Sequence, residues 1–353
     1  MITRELIKTI IGEAINAPSG DNSQPWRFEF RENGVDLYNI ERDQTIFNFR
    51  RRGDYVAHGA LLENIDIIAG HYGFMANSKL FPSGEVGAIA EILFAKDDAP
   101  DEELYQAIGK RVTNRKPYSG EMLAAEVKNA LLEIGNANEL VRLAIVERGE
   151  AFDGIVRAAS LNDRLILENE TIRKFLFSII RWTEDEERAT PGMHVKTLEL
   201  GAPQQKMFRL FRKRSIARLA SLIGFPLVMQ KEAAALYGTS GAMLVLSIKG
   251  EAPADFIAGG RIFERVWLKA TAMGLSLQPL AAMPYLAQRI KAGDRDNVSE
   301  VQARDILKAE QDIRDAAHME TGTILMLARI GKGEAPTQKA FKLAPEIHEK
   351  MSV

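Results

Sequence analysis

The chain of 353 residues contains no cysteine. Disulfides, thiolate nucleophiles, cysteine-held iron–sulfur clusters and cysteine zinc sites are thereby excluded, so any electron traffic needs a bound cofactor. Histidine is scarce and scattered: His58, His71, His194, His318 and His348 form no metal-ligating spacing of the H-E-x-x-H kind. Neither sign of charge dominates. The 46 Lys and Arg stand against 48 Asp and Glu, a net charge of -2, and no nucleic-acid-binding module is visible. The longest apolar stretch, about residues 233–248, is broken by Tyr237-Gly238-Thr239-Ser240-Gly241, so no membrane span is expected. Met1-Ile2-Thr3-Arg4-Glu5-Leu6 has an acid too early, and too short an apolar run, for a secretory signal; the expected location is the cytoplasm. A dinucleotide fingerprint is lacking too, because Gly331-Lys332-Gly333 has no third glycine and no βαβ context.

What is present is a soluble-protein composition, 46% hydrophobic and 27% charged, long enough for two domains or one large one. Leu6, Ile7, Ile10, Ile11, Ala14 and Ile15 fall at helical spacing. Arg27–Phe30 and Val35–Ile40 read as strands joined by a turn at Asn33-Gly34. A long helix is expected over about 54–72, then strands near 75–81 and 87–95. The acidic run 97–103 reads as a joint between units. A duplication lies under this order. Gly59, Glu63, Ala69 and Gly73 match Gly260, Glu264, Ala270 and Gly274 at one constant offset, and each helix leads into a strand. Two amphipathic helices share some matches by period alone, but four at fixed offset favour a repeat. The expected units are residues 1–100 and 101–353.

Two segments carry candidate chemistry. The first is the helix-to-strand loop Ala17-Pro18-Ser19-Gly20-Asp21-Asn22-Ser23-Gln24-Pro25-Trp26. Its prolines and glycine set the backbone, while Ser19, Asn22 and Gln24 offer hydroxyl and amide groups to a polar ligand. A plain connection is the competing reading. The second is Arg111-Val112-Thr113-Asn114-Arg115-Lys116-Pro117-Tyr118. In an extended segment Arg111, Thr113 and Arg115 face one side, two guanidiniums and a hydroxyl that suit a phosphate dianion. The competing reading is a solvated basic stretch.

Together these segments resemble the nitroreductase superfamily of FMN-dependent enzymes, in particular its fused, Acg-like subgroup. The resemblance implies an α+β, nitroreductase-like fold: two tandem repeats in an intramolecular pseudo-dimer, with mostly antiparallel sheets flanked by helices. It assigns Arg111, Thr113 and Arg115 to the FMN phosphate, and Pro18, Ser19, Gly20 and Asn22 to the ribityl chain and ring edge. The run Gly274-Leu275-Ser276-Leu277-Gln278-Pro279-Leu280-Ala281-Ala282 matches the loop that lies along the ring, so Gln278, Pro279, Leu280, Ala281 and Ala282 are carried over. A peptide N–H near Ala281 or Ala282 would face flavin N5, although family members often have an acidic residue and a glycine there. Lys339 is expected to return to the phosphate from the tail, with Lys342 second.

The first unit has the loop without the phosphate segment, and the second the reverse, so one complete site and one degenerate site are expected. The implied activity is NAD(P)H-dependent, ping-pong reduction of a nitroaromatic, quinone or similar small acceptor, with FMN and either NADH or NADPH. No catalytic acid, base or nucleophile is demanded. The alternative is FMN storage under a lid with little turnover. A monomer is expected, because the flavin interface is already satisfied within the chain. A helical insert at about 160–230 is the least matched part. Its stretch Gln205–Leu222 interleaves Lys206, Arg209, Arg212, Lys213, Arg214 and Arg218 with apolar residues, and reads as a basic amphipathic helix. Such a helix covers a groove of its own protein or lies on a membrane, the first being favoured. Trp182 and His194, upstream in the insert, could approach the ring, but a packed aromatic and a surface histidine are the favoured readings.

Overall fold

The computed structural model describes residues 2–42, 46–97 and 100–349. Asp98 and Ala99 of the acidic joint lie outside the described residues. The first half runs α1 (Arg4–Ala14), β1 (Trp26–Arg31), β2 (Gly34–Asn39), α2 (Arg52–His71), β3 (Phe74–Leu80) and β4 (Ala90–Lys96). Thr3 caps α1 through its side chain, and Asn33, in the left-handed region, closes the β1–β2 turn. Next come α3 (Glu102–Ile108), α4 (Ala125–Gly135), β5 (Val141–Glu147) and α5 (Glu150–Glu168).

Beyond α5 the insert follows: α6 (Glu170–Ile179), β6 (Ile180–Arg181), α7 (Glu184–Ala189), β7 (Met193–His194), α8 (Ala202–Leu210) and α9 (Arg214–Leu222). The chain returns through α10 (Phe225–Tyr237) to β8 (Ala242–Ile248), α11 (Pro253–Ala272), β9 (Ser276–Pro279), α12 (Ala282–Lys291), α13 (Glu300–Ala316), β10 (Thr323–Gly331) and β11 (Glu346–Glu349). The fold is α+β. One sheet has the order β11-β1-β2-β4-β3, the other β5-β8-β10-β9, and β6 pairs with β7. All pairs in the two large sheets are antiparallel except β11 beside β1.

The two large sheets share one plan. In each, the first, second, fourth and third strands of the half lie side by side, with a long helix between the second and third. Those helices, α2 and α11, pack on each other in one apolar cluster that contains residues of both sheets. Their crossing is set by glycine. A Cβ on Gly59 would stand 2.1 Å from the Ile257 carbonyl oxygen, and one on Gly260 would stand 2.2 Å from that of Val56. Val56 corresponds to Ile257 at the same offset that relates Gly59 to Gly260, so the contact is reciprocal, as across a two-fold axis.

The segment read as one basic helix over 205–222 is two. It breaks at 211–213, where the buried ring of Phe211 turns the chain inward, and Arg173 donates to the carbonyls of Phe211 (3.2 Å) and Arg212 (2.8 Å) that the break frees.

Gly260→Ala tests the crossing. Helix propensity alone would stabilise the variant by about 1 kcal/mol, whereas forcing a methyl against a backbone carbonyl costs roughly 1–3 kcal/mol or more. Urea unfolding is expected to show a net loss, and a net gain would mean that the helices do not cross there.

Candidate cofactor site

The loop after α1 is held open by three non-glycine residues in the left-handed region: Asp21, Asn22 and Gln24. The Gln24 N–H donates to the Ser19 hydroxyl at 3.0 Å, fixing the turn, while Pro18 and Gly20 shape its approach. Asn22 is buried. Its Nδ2 donates to the carbonyls of Phe341 and Gly192, both at 2.9 Å, and its Oδ1 accepts from Lys342 Nζ at 2.9 Å. Gln24 Oε1 accepts from the Leu343 N–H. The loop is thus bound on one side by the C-terminal tail and on the other by the insert.

The basic segment crosses the same loop from the second half. Arg111 is buried, with its guanidinium 4.4 Å from the Trp267 ring centre, its Nε 3.2 Å from Glu264 Oε1, and its Nη2 donating to the Asn16 carbonyl. Thr113 bridges to Leu277 of β9, and Asn114 donates to Ser276 Oγ at 2.8 Å, so the segment is stitched to the second sheet. Arg115 turns to the insert, donating to the Thr197 carbonyl at 3.0 Å and lying 3.3 Å from Met193 Sδ. The two arginines meet different partners. Arg111 stands at Asn16, and Arg115 at the insert.

The tail adds two cations. Lys339 Nζ donates to the Gly109 carbonyl at 2.9 Å and to Asn16 Oδ1 at 3.3 Å, and Lys342 Nζ donates to the Ala17 carbonyl at 2.8 Å. Arg111, Lys339 and Lys342 therefore converge on residues 16–22, with Glu264 as the carboxylate among them. Burial and Arg111 press the Lys339 amine down to about 8, and burial with both neighbouring cations holds Lys342 well below the ordinary lysine range. Burial lifts the Glu264 carboxyl to about 7 against the pull of Arg111 and Lys342. Neither Glu264 oxygen, nor Arg111 Nε, makes a hydrogen bond among the described residues. Its counterpart Glu63 is far better neutralised, by Arg265 Nε at 2.5 Å and Arg261 Nη1 at 3.5 Å. Three mutually repelling cations around one under-satisfied carboxylate fit a dianionic phosphate, which would offset the excess positive charge.

The ring-side residues lie at one edge of the second sheet. Gln278 is buried in β9 and accepts from Arg329 Nε at 2.6 Å. Arg329, wholly buried on β10, also donates to the Lys116 carbonyl and lies 4.1 Å over Tyr118, which locks the basic segment to the sheet. Pro279 ends β9, and the Leu280 N–H donates to Leu327. Ala281 is the N-cap of α12 and Ala282 its first residue, so the run read as a loop is a short strand followed by a helix start, whose first N–H groups have no partner within the helix. Over the site, Glu187 of the insert accepts from Gln338 Nε2 and the Phe341 N–H, both at 3.0 Å, and Glu199 accepts twice from Thr337 at 2.6 Å. Trp182 packs near Phe208 as expected, but His194 is buried, its Nδ1 accepting from the Lys196 N–H, because it caps the turn that follows.

Sequence reasoning missed several of these residues. Glu264 was visible only as a repeat marker, and Arg329 only as a strand residue. Lys342 is bound more centrally than Lys339. A surface groove of about 890 Å³ between α5 and α13, lined by residues such as Glu150, Arg157 and Asp312, includes none of the candidate site residues.

Above about pH 7 Glu264 gains negative charge, and above about 8 Lys339 loses its positive charge; both changes weaken attraction for a phosphate. The dissociation constant of a phosphate monoester is expected to rise between about pH 7 and 9, where the ligand itself is already a dianion. In Glu264→Gln the rise is expected to be shallower, with tighter binding at the alkaline end. Titration calorimetry measures both, and a pH-independent constant in the parent protein would refute the assignment.

No protein-family model matches the chain. The chain is 24% identical over 305 residues to "Uncharacterized protein MT1398" of Mycobacterium tuberculosis, a match that covers 86% of this chain and 42% of that protein. It is also 24% identical over 283 residues to "Putative NAD(P)H nitroreductase acg" of the same organism, covering 78% of this chain and 80% of the relative. The chain thus spans less than half of the first relative's length and most of the second's. Solved structures that align with it include a nitroreductase with bound FMN from Desulfitobacterium hafniense, at 14% identity and TM-score 0.35, covering 68% of this chain and 93% of that one. Another is the FMN-dependent nitroreductase NfnB from Mycobacterium smegmatis in complex with NADPH, at 16% identity and TM-score 0.33, covering 66% and 88%. In sequence the chain is a distant relative of the Acg nitroreductase, in line with the resemblance carried by its Arg-x-Thr-x-Arg segment and its Pro-Ser-x-x-Asn loop.

Proposed function

We propose that this chain is an FMN-dependent NAD(P)H oxidoreductase that reduces small electrophilic acceptors, such as nitroaromatics or quinones, in a ping-pong cycle. The observation that carries the reading is the convergence of Arg111, Lys339 and Lys342 on the loop at 16–22. These come from two separate parts of the chain, the segment at 111 and the C-terminal tail, and their mutual repulsion is relieved by an anion. In this reading Arg111 and the two lysines hold the phosphate of FMN, with Thr113 on the same segment. Arg115 supplies a further positive charge nearer the insert. Gln278, kept in place by Arg329, and the first turn of α12 present amide donors and a helix-dipole end at the sheet edge. FMN, when bound, supplies the hydride chemistry, so this chain's residues need only bind, orient and admit.

The two halves are read as a fused pair. Their matching strand order and the reciprocal α2–α11 crossing support that reading, as does β11, which leaves the second half to pair with the first sheet. The second half supplies the phosphate cations, the first half the loop, and a monomer suffices for one site. Storage of FMN is the weaker reading. The insert does bind the tail over the site, but it does so through a few hydrogen bonds of Glu187 and Glu199, with Asn22 of the loop donating to the insert at Gly192, and a relative carries the name "Putative NAD(P)H nitroreductase acg".

The test is the visible spectrum of the purified, FMN-reconstituted protein before and after anaerobic NADPH or NADH. Rapid bleaching is expected. Bands that persist would favour storage, and failure to take up FMN would remove the flavin assignment. Arg111→Ala is expected to weaken FMN binding by roughly 30-fold or more, the scale of removing one partner of a buried charge pair, measured by quenching of flavin fluorescence.

A further inference from the structure

The insert carries a surface for which the flavin reading has no use. Residues 200–231 contain seven Lys and Arg and no Asp or Glu, in a chain whose charges nearly balance overall. Some of these cations are engaged: Arg214 pairs with Glu170 at 3.0 Å, and Arg209 and Arg212 lie over the Trp182 ring. Lys206, Lys213 and Arg218 are exposed and carry no ion pair among the described residues.

The apolar residues of the same stretch are arranged against the expectation for a helix that covers its own protein. On α9 the buried positions are Ala217 and Ala220, whereas Leu219 and Leu222 point outward beside Arg214 and Arg218. Ala217 and Ala220 face the protein with Ile216 half-buried beside them, while Leu219 and Leu222 face away. The outward set continues around the corner where α9 meets α10 at 83°. Leu219, Leu222, Ile223, Leu227 and Val228 are exposed by 61, 84, 75, 59 and 46%. Contiguous exposed aliphatics on this scale mark an interaction surface.

We infer that the α9–α10 corner docks on an anionic lipid surface, its aliphatic tip seated at the headgroup–acyl boundary and Lys206, Lys213 and Arg218 meeting the phosphates. Charge decides between occupants. A second copy of the chain would bring the same unbalanced positive surface against itself, since a two-fold contact pairs like with like. A nucleic acid would satisfy the cations but leave the leucines in water. An anionic bilayer satisfies both, as basic amphipathic helices do at interfaces. Among the described residues no single helix is long and apolar enough to cross, and α9 and α10 reach that length only as a pair bent by 83°, which fits a corner resting on the surface better than a straight span.

The test is co-sedimentation of the full chain with vesicles of phosphatidylcholine alone and of phosphatidylcholine mixed with phosphatidylglycerol. Binding is expected only to the mixed vesicles, and it should weaken as salt screens the headgroups. Leu222→Glu/Ile223→Glu is expected to weaken it about tenfold or more, from the apolar transfer lost at two side chains. Lys213→Glu/Arg218→Glu should abolish the preference for the anionic lipid. All four positions are exposed, so circular dichroism should match the parent and keep loss of binding distinct from loss of fold. Equal binding to both vesicle types, no binding to either, or an unaffected Leu222→Glu/Ile223→Glu variant would overturn the inference. So would a parent dimer in sedimentation velocity that this variant dissolves while vesicle binding is absent.

Discussion

The rest of the structure depends on one close approach. Gly59 and Gly260 let α2 and α11 touch backbone to backbone, and that contact sets where each half presents its edges to the other. Any side chain at either position would push the helices apart, because the obstacle is a carbonyl of the main chain and not a flexible group. Trp267 and Glu264 stand on α11 just beyond the crossing, so the spacing of the helices also sets where Arg111 can lie. The candidate site is therefore a consequence of how the halves are clamped, not a feature of either alone.

The crossing also explains an asymmetry of charge. Glu63 and Glu264 occupy equivalent places, yet Glu63 is flanked by Arg261 and Arg265, while Glu264 meets Arg111 without a good hydrogen bond. A buried carboxylate with incomplete partners is held at a cost in free energy. That cost falls on the side where Lys339 and Lys342 also gather, and none of the three cations is placed to relieve the others. The second half concentrates unbalanced charge at one point, and the first half does not. This difference, more than any sequence motif, sets the candidate site apart from the equivalent place in the first half.

Tail and insert are joined over that point by carboxylates that accept from backbone and amide donors. Glu187 holds Gln338 and the Phe341 N–H, and Glu199 holds Thr337. The tail therefore brings its lysines to the loop in company with the insert, and β11 beyond them anchors in the first sheet. The same insert turns its leucines outward at the far corner, so one excursion of the chain meets the candidate site at one end and exposes an apolar corner at the other. Its break at 211–213 separates these two regions, with Arg173 donating to the carbonyls that the bend frees.

Much of this was legible in the residues. Periodicity located α1, α2 and the early strands to within a few positions, because one face of each is buried and the pattern records it. The repeat marked Gly59 and Gly260, and the spacing Arg111, Thr113, Arg115 marked a basic segment. What a linear pattern could not convey was partnership. Whether Arg111 and Arg115 meet one ligand atom or two environments depends on which elements pack beside them, and so does the rank of Lys342 against Lys339. Glu264 looked like a helix residue until α2 left it without the arginine that its twin enjoys. His194 read as surface because nothing local says that a turn needs its ring as a cap. Local spacing is set by bonds and dihedral angles, which the sequence alone determines; burial and charge balance are sums over neighbours hundreds of residues apart, and only the tertiary structure decided those.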